Sequence, residues 1–228
     1  PDWEKKSLLI YLIALFIFLG IGYGKWSHYP FRWSDAFYST NHTANQLAIN
    51  PVLYFLNTYT RVNESYNMDE VQKVYPVMAE FLGVENPDIE TLNYTRMYKP
   101  KKENDIPPNI IIIILETFPA FKCGALGNPA DATPHFDAIA EESFFFTQFY
   151  VPKLSTAASI FSTLTGLPDM AIINKSSTRD PFAIDQDLFV NQLIDYKKYF
   201  FIGGSANWGD LNGFLNNNIE DITIYEEG

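Results

Sequence analysis

The hydrophobic positions of this chain are arranged differently from one segment to the next. Ser7 to Gly24 is uncharged and almost wholly apolar, which predicts a membrane-spanning helix, since a span needs about 20 such residues. A cleaved signal peptide and a buried core helix are the alternatives. Ala44 to Tyr59 predicts a broken amphipathic helix, either on the membrane surface or packed on a globular domain. Met68 to Leu82 has helical spacing, and the polar, proline-rich stretch from Asn86 to Pro108 indicates a linker.

The pattern changes at Asn109. Ile110 to Leu115 is an unbroken run of apolar, mostly β-branched residues, which predicts a central strand buried on both faces, as in a parallel sheet. Further strands are predicted at residues 144–150, 199–202 and 222–225, and helices at 134–142, 156–165 and 188–196. The alternation of strands and helices predicts an α/β fold class for this part of the chain.

Composition narrows the class of protein. The chain has 228 residues, 47% of them hydrophobic, and a formal net charge of -11, so it can bury a core and is a poor partner for nucleic acid. The single cysteine, Cys123, excludes an intrachain disulfide. We expect a transmembrane helix with its flanks at residues 1–26, a juxtamembrane segment and linker at 27–107, and part of a catalytic domain at 108–228.

Glu116 directly follows the predicted isoleucine strand. In open α/β sheets, ligands bind beyond the carboxyl ends of the strands. A carboxylate at the edge of a dry sheet is costly unless it is paired or coordinates a cation. Glu116 is therefore either a metal ligand or a glutamate that caps a helix or forms a salt bridge.

Thr156 lies at the start of a predicted helix, ten residues before Gly166. This spacing resembles the sulfatase and alkaline-phosphatase superfamily, in which the nucleophile precedes a helix that ends in a Thr/Ser-Gly turn. The resemblance makes Thr156 the candidate nucleophile. A hydroxyl at a helix N-terminus faces free N–H groups and the positive end of the helix dipole, which stabilise a phosphate and a developing alkoxide. Metal coordination would make this hydroxyl nucleophilic. The alternatives are that Thr156 only caps the helix, or that Ser155 is the nucleophile.

These segments together resemble a known family. Glu116-Thr117, the Thr133–Asp137 motif at a helix start and the Thr156–Pro168 stretch resemble the lipoteichoic acid synthase branch of the sulfatase and alkaline-phosphatase superfamily. The resemblance extends over about residues 108–225. It implies an alkaline-phosphatase-like, mostly parallel sheet flanked by helices, of which this chain contains a part. It also implies a divalent metal, Mn²⁺ or Mg²⁺ with Zn²⁺ as the alternative, bound by Glu116 and Thr156.

The same resemblance separates the chain from true sulfatases. Those enzymes carry Cys or Ser, then Pro and Arg, for conversion to formylglycine, and the equivalent positions here are Thr156, Ala158 and Ile160. Threonine cannot form that aldehyde, which favours the phosphotransferring branch.

Trp208 resembles the tryptophan of the family's substrate-facing stretch, and core packing is its alternative role. The polyglycerolphosphate synthases have a His before that tryptophan and an Arg after it, where this chain has Ile202 and Asp210. The head group, or the way it is held, is expected to differ.

The resemblance implies transfer of a phosphoglycerol-type or phosphoethanolamine-type group outside the cell membrane. The donor would be a lipid such as phosphatidylglycerol and the acceptor a glycan or glycolipid. The family's other metal ligands, an Asp-His pair, are absent from this sequence, so these 228 residues alone are expected to be inactive. A sulfatase-like hydrolase of phosphate or sulfate esters and an inactive, membrane-tethered binding module are the alternatives.

Overall fold

The N-terminal apolar run forms one long helix, α1, over Asp2–Tyr23. The computed structural model describes residues 2–25, 30–39, 41–59, 67–97, 107–171, 176–181 and 183–227. Within α1, Lys5–Tyr23 is long and apolar enough to cross a membrane, and none of this stretch is buried. A signal sequence would pass the same test of length and composition. The predicted helix is confirmed, and the helix could span a membrane.

The described residues form two compact units, one of residues 1–60 with 116–228 and one of residues 61–115. In the first unit, the end of α1 is tied to the segment that follows it. The Phe31 amide donates to the carbonyl of Tyr23 at 2.8 Å, and Lys25 pairs with Asp35 at 2.5 Å. A 3₁₀ helix at Trp33–Ala36 follows, and Trp33 is buried. The described residues 30–37, at the start of the predicted juxtamembrane segment, therefore pack into the core.

The predicted broken helix is confirmed as two short helices, α2 at His42–Ala48 and α3 at Pro51–Thr58. Asn41 caps α2 by accepting a hydrogen bond from the Ala44 amide at 3.2 Å. Pro51 opens α3, a position where its missing N–H costs nothing. Contact with a membrane surface remains a prediction.

Three helices and two strands complete the first unit: α5 at Pro134–Glu141, α6 at Thr156–Thr165, β1 at Lys198–Phe201, α7 at Leu211–Asn218 and β2 at Ile222–Tyr225. Strands β1 and β2 pair in parallel, with Lys198 opposite Ile222. The hydrophobic core lies between α6 and α7, where Phe161 and Phe214 have ring centroids 5.4 Å apart. The first unit is therefore an α/β arrangement of helices with a small parallel sheet.

Three predicted elements are wrong. Ile110–Leu115 forms no strand, and all six of its side chains are exposed. Residues 144–150 form no strand either, and Phe144 is 98% exposed. A strand needs a partner for its backbone hydrogen bonds, and among the described residues only β1 and β2 pair. The helix predicted at 188–196 is reduced to a 3₁₀ turn at Phe189–Gln192.

The second unit is built on α4, which spans Met68–Leu82 as predicted. Asn67 accepts from the Asp69 amide at 3.1 Å at its start, and Gly83 ends it in the left-handed conformation. The buried Tyr75 hydroxyl donates to the carbonyl of Asn93 at 2.5 Å, which holds the chain after α4 against the helix. Residues 98–106 of the predicted linker lie outside the described residues.

Candidate active site

Glu116 and Thr156 lie together, although they are 40 residues apart in sequence. The Thr156 hydroxyl donates to Oε2 of Glu116 at 2.5 Å. The other carboxylate oxygen accepts from the Thr117 hydroxyl at 3.1 Å. The predicted proximity of the two side chains is therefore confirmed, without the predicted central strand. A carboxylate that accepts a hydroxyl's hydrogen bond can orient that hydroxyl and receive its proton.

The start of α6 places the Thr156 hydroxyl. Ser155 is the N-cap residue, with extended backbone, and Thr156 is the first residue inside the helix. Because Ser155 occupies the N-cap position, the interpretation of Thr156 as the capping residue is wrong. The Ser155 side chain itself accepts no hydrogen bond from a helix N–H. The first N–H groups of a helix have no partner within it. The Thr156 hydroxyl lies at this end of α6, and a helix N-terminus is a common place for an anion to bind.

Glu116 is placed by a locally unusual backbone. The next residue, Thr117, has a φ of 52°, which is uncommon for a β-branched residue. Phe118 then packs against Phe136 of α5, with ring centroids 5.0 Å apart. Phe136 also contacts Phe145 at 6.0 Å. These aromatic contacts connect the segment that carries Glu116 to α5.

The Thr133–Asp137 motif forms a network of side-chain hydrogen bonds at the start of α5. The Thr133 hydroxyl donates to both carboxylate oxygens of Asp137, at 3.0 and 3.1 Å, and accepts from the Gly124 amide at 3.0 Å. Asp137 in turn accepts from the Ala125 amide at 2.8 Å. The motif therefore fixes the turn before α5.

Trp208 lies in a 3₁₀ turn, Trp208–Asp210, that packs on the start of α6. Gly209 has a φ of 69°, and a Cβ built on it would lie 2.9 Å from the Cβ of Ala157. Only glycine combines this conformation with so close an approach. Because Ala157 follows Thr156, the turn is adjacent to the candidate nucleophile. Trp208 itself is 38% exposed and is not part of the core.

Asp210 is buried and faces the juxtamembrane segment. It accepts a hydrogen bond from the Ser34 hydroxyl at 2.8 Å and pairs with the Arg32 guanidinium at 3.2 Å. The same guanidinium donates to the carbonyl of Asn207 at 3.3 Å. Sequence reasoning missed Arg32 and Ser34 because more than 170 residues separate them from Asp210. Asp210 was the signal in the sequence that could have pointed to them, since a carboxylate that becomes buried needs hydrogen-bonding or charged partners.

A second buried carboxylate holds the loop after α6. Asp169 accepts from the Ser176 hydroxyl at 3.1 Å, from the Ser177 hydroxyl at 2.8 Å and from the amides of Ala171 and Ser177. Burial raises the pKa of this carboxyl, and these hydrogen bonds together outweigh it, so the pKa is lowered below the ordinary value of 3.8. The loop leads into a 3₁₀ turn at Ser177–Arg179, where the buried Thr178 hydroxyl donates to the carbonyl of Gly209 at 2.6 Å.

Glu116 and Thr156 offer a carboxylate and a hydroxyl group to a cation. Carboxylate and hydroxyl oxygens are donors that Mg²⁺ and Mn²⁺ prefer, so the pair fits as part of a coordination shell. In the described ranges, no three His, Cys, Asp or Glu side chains come together. The remaining positions of that shell would be filled by other groups.

Comparison with known proteins identifies the family. Residues 108–227 match the sulfatase family, and this match takes in just over half of the chain. The chain belongs to the sulfatase family. Its members are generally metal-dependent, and the family supports hydrolysis or transfer of sulfate or phosphate esters. The finer resemblance to the lipoteichoic acid synthase branch remains a hypothesis.

Two human sulfatases are similar to part of this sulfatase-family chain. N-sulphoglucosamine sulphohydrolase is 39% identical over 61 residues, which is 27% of this chain and 12% of that protein. Arylsulfatase A is 37% identical over 60 residues, which is 26% of this chain and 12% of that protein; the bovine enzyme gives the same values. The matched segment thus covers about an eighth of these relatives' length. No solved structure matches the chain.

Proposed function

We propose that this sulfatase-family chain carries the nucleophile of a metal-dependent phosphotransferase that acts at the outer face of a cell membrane. The transferred group is of the phosphoglycerol or phosphoethanolamine type. Its donor is a membrane lipid such as phosphatidylglycerol, and its acceptor is an extracytoplasmic glycan or glycolipid. The hydrogen bond from the Thr156 hydroxyl to Glu116, 2.5 Å long, is the observation that carries the proposal. Helix α1 would anchor the enzyme beside its lipid substrate.

In the first step, the Thr156 oxygen attacks the phosphorus of the lipid phosphodiester. The Thr156 proton passes to Glu116, which already accepts its hydrogen bond. A bond forms between the threonine oxygen and phosphorus, and the bond from phosphorus to the diacylglycerol oxygen breaks. Glu116 passes this proton to the diacylglycerol oxygen as the diacylglycerol leaves, and Glu116 returns to its carboxylate form. The unpaired N–H groups at the start of α6 face the anionic oxygens and offset their charge.

In the second step, a hydroxyl of the acceptor attacks the same phosphorus. The bond from phosphorus to the threonine oxygen breaks, and a new bond joins phosphorus to the acceptor oxygen. The acceptor's proton returns through Glu116 to Thr156, which restores the starting state. A divalent cation held by these two side chains would lower the pKa of the hydroxyl and polarise the phosphoryl oxygens.

Hydrolysis of a sulfate ester is the second candidate, because the two human relatives are named a sulphohydrolase and an arylsulfatase. Threonine at position 156 argues against it, since sulfatases of that kind use a formylglycine made from Cys or Ser. Both reactions would use the same site, so substrate choice distinguishes them.

The test uses the full-length protein in vesicles that contain phosphatidylglycerol with fluorescent acyl chains and an added divalent cation. We expect release of labelled diacylglycerol, and we expect a chromogenic aryl sulfate to stay intact. Thr156→Ala should reduce release roughly 10³-fold or more, Thr156→Ser should keep part of it, and Ser155→Ala should keep most of it. Full activity of Thr156→Ala would exclude the proposed nucleophile. Cleavage of the aryl sulfate alone would favour the second candidate.

A further inference from the structure

Arg179 forms a cation–π pair with Trp208. The guanidinium carbon lies 5.8 Å from the centroid of the indole ring. The two residues belong to different 3₁₀ turns, Ser177–Arg179 and Trp208–Asp210. Both side chains reach the protein surface, since Arg179 is exposed and Trp208 is 38% exposed. One face of the indole is therefore covered by a cation, which excludes that face as a flat platform for an apolar substrate group.

The backbone beneath Arg179 is held more tightly than its side chain. The preceding residues Ser176, Ser177 and Thr178 are all buried. The carboxylate of Asp169 accepts hydrogen bonds from the first two. The third donates to Gly209. A fixed backbone that ends in an exposed guanidinium presents this charge at one place on the surface.

The turn that carries Arg179 lies close to the start of α6. The turn of Arg179 bonds to the carbonyl of Gly209 through Thr178, at 2.6 Å. The Cβ position of Gly209 is 2.9 Å from the Cβ of Ala157. The start of α6, the turn of Trp208 and the turn of Arg179 are therefore neighbours. The contact with α6 is at Ala157, the residue that follows Thr156.

The Arg179 guanidinium has unused hydrogen-bonding capacity. Among the described residues, it forms no ion pair with any carboxylate, although the chain has 27 acidic residues and 16 basic ones. The face of an indole ring attracts the cation, but it accepts no hydrogen bond from the N–H groups that lie in the plane of the guanidinium. A planar fork of donors matches two oxygens of a phosphate or sulfate group.

We infer that Arg179 binds the anionic oxygens of the substrate's phosphate or sulfate ester group beside Thr156, and that Trp208 positions Arg179. This inference deepens the proposed function and depends on it for the site, but it holds for a phosphodiester and a sulfate ester alike. It changes the role expected for Trp208, from a residue that contacts substrate to one that orients the arginine.

The kinetic test compares Arg179→Gln with Lys122→Gln in the full-length protein. Lys122 is a matched control, because it is an exposed cation 6.0 Å from the ring centroid of Phe121. We expect Arg179→Gln to raise KM about tenfold or more, with a smaller effect on kcat, because a charged contact to the substrate is lost. The KM of Arg179→Lys should lie between those of the wild type and Arg179→Gln, since the lysine ammonium keeps the charge but cannot bind two oxygens at once as a guanidinium does. Lys122→Gln should match the wild type, and an unchanged KM in Arg179→Gln would overturn the inference.

The positioning role of Trp208 is tested by combining substitutions. Trp208→Ala should raise KM less than Arg179→Gln does, and Trp208→Phe should restore part of the loss. The double variant should be no worse than Arg179→Gln alone, because both changes remove one contact. Additive effects on KM would mean that Trp208 contacts the substrate by itself.

A binding measurement separates this inference from the identity of the reaction. Inorganic phosphate and inorganic sulfate, added separately, should raise the melting temperature of the wild type and of Lys122→Gln, since a ligand of the folded state stabilises it. The rise should be absent in Arg179→Gln and retained in Thr156→Ala. If phosphate stabilises the wild type while lipid turnover fails, the anion site stands and the proposed reaction does not. An equal rise in Arg179→Gln, or none in the wild type, would refute the site.

Discussion

The two halves of the candidate site come from regions that are packed very differently. Thr156 begins α6, where Ala157, Ala158, Ile160, Phe161 and Ser162 are buried. This packed region consists of α6, α7 and the segments 30–37, 176–181 and 183–190. Glu116 begins the open segment, residues 116–154, in which α5 has no buried residue and both Phe144 and Leu154 are more than 95% exposed.

The difference shows how the site is assembled. The candidate nucleophile, Thr156, begins a helix that packs on a hydrophobic core, and this core also includes Trp33 and Phe37 of the segment after α1. The carboxylate is placed by a strained residue, Thr117, by aromatic pairs and by its bond to Thr156 itself. Changes in the packed region should therefore affect stability, whereas changes in the open segment should affect the position of Glu116 with little effect on stability.

The largest expected effect is the contrast between two phenylalanines. Phe214→Ala should reduce the free energy of unfolding by about 3–5 kcal/mol, because this fully buried ring contacts Phe161 and its removal leaves a cavity. Phe144→Ala should change it by less than about 0.5 kcal/mol, since the side chain is 98% exposed. Urea unfolding followed by tryptophan fluorescence measures both values. Equal losses would contradict the division into packed and open regions.

Asp169 should make stability depend on pH at the acid end. Its pKa is lowered in the folded state, so its contribution is fully present above the ordinary value of 3.8 and is lost as the pH falls through the lower folded value. Asp169→Asn should cost about 2–3 kcal/mol at pH 7, because charged hydrogen bonds are replaced by weaker ones and a donor faces Ser177.

The measurement for Asp169 is the melting temperature between pH 7 and pH 3. The wild type should lose stability below about pH 4, and the part of this loss that is due to residue 169 should be missing from Asp169→Asn. If the melting temperatures of both proteins fall equally below pH 4, other carboxyl groups cause the loss of stability in acid. Asp88→Asn gives the comparison with an exposed carboxylate. Hydrogen bonds from the Thr91 hydroxyl and the Glu90 amide also lower the pKa of Asp88, but solvent screening at this exposed site should make its share of the loss smaller.

The contact between the juxtamembrane segment and the Trp208 turn should have an intermediate effect. Asp210→Ala removes the acceptor of the Ser34 and Arg32 bonds and places alanine at a φ of 56°. We expect a loss of about 2 kcal/mol in unfolding free energy. Arg32→Gln should cost less, because Asp210 keeps its bond from Ser34. A larger cost for Arg32→Gln than for Asp210→Ala would contradict this assignment.

The smallest expected effect is at the N-cap of α6. Ser155→Ala should change stability by less than about 0.5 kcal/mol, whereas a functional cap is worth about 1 kcal/mol, because the Ser155 side chain caps no N–H. Asn67→Ala at the start of α4 is the matched control. Its side chain accepts two amide hydrogen bonds, so its loss should reach about 1 kcal/mol. A full capping loss in Ser155→Ala would show that its hydroxyl bonds the helix in solution.

Local pattern predicted the helices best. The bounds of α4 and α6 agree with the spacing of their apolar residues, and in each case a left-handed glycine, Gly83 or Gly166, ends the helix. The strand Ile222–Tyr225 was also predicted. Helix bonds close within one segment, so a helix depends little on what lies elsewhere. The wrong strand at Ile110–Leu115 shows the converse, because a β-branched run forms a strand only beside a partner.

The sequence alone therefore determined helices such as α4 and α6, the apolar N-terminal segment and the residue types that resemble a phosphotransferase site, because these depend on spacing and on local chemistry. It did not predict α7, and it predicted a helix at 188–196 that is only a 3₁₀ turn. Only the tertiary structure decided which charges meet. It paired Arg32 with Asp210 across 178 residues, placed Arg179 on Trp208 and made Ser155 rather than Thr156 the N-cap. Such contacts are set by how helices and loops pack around a shared core, and no periodicity along the chain records them.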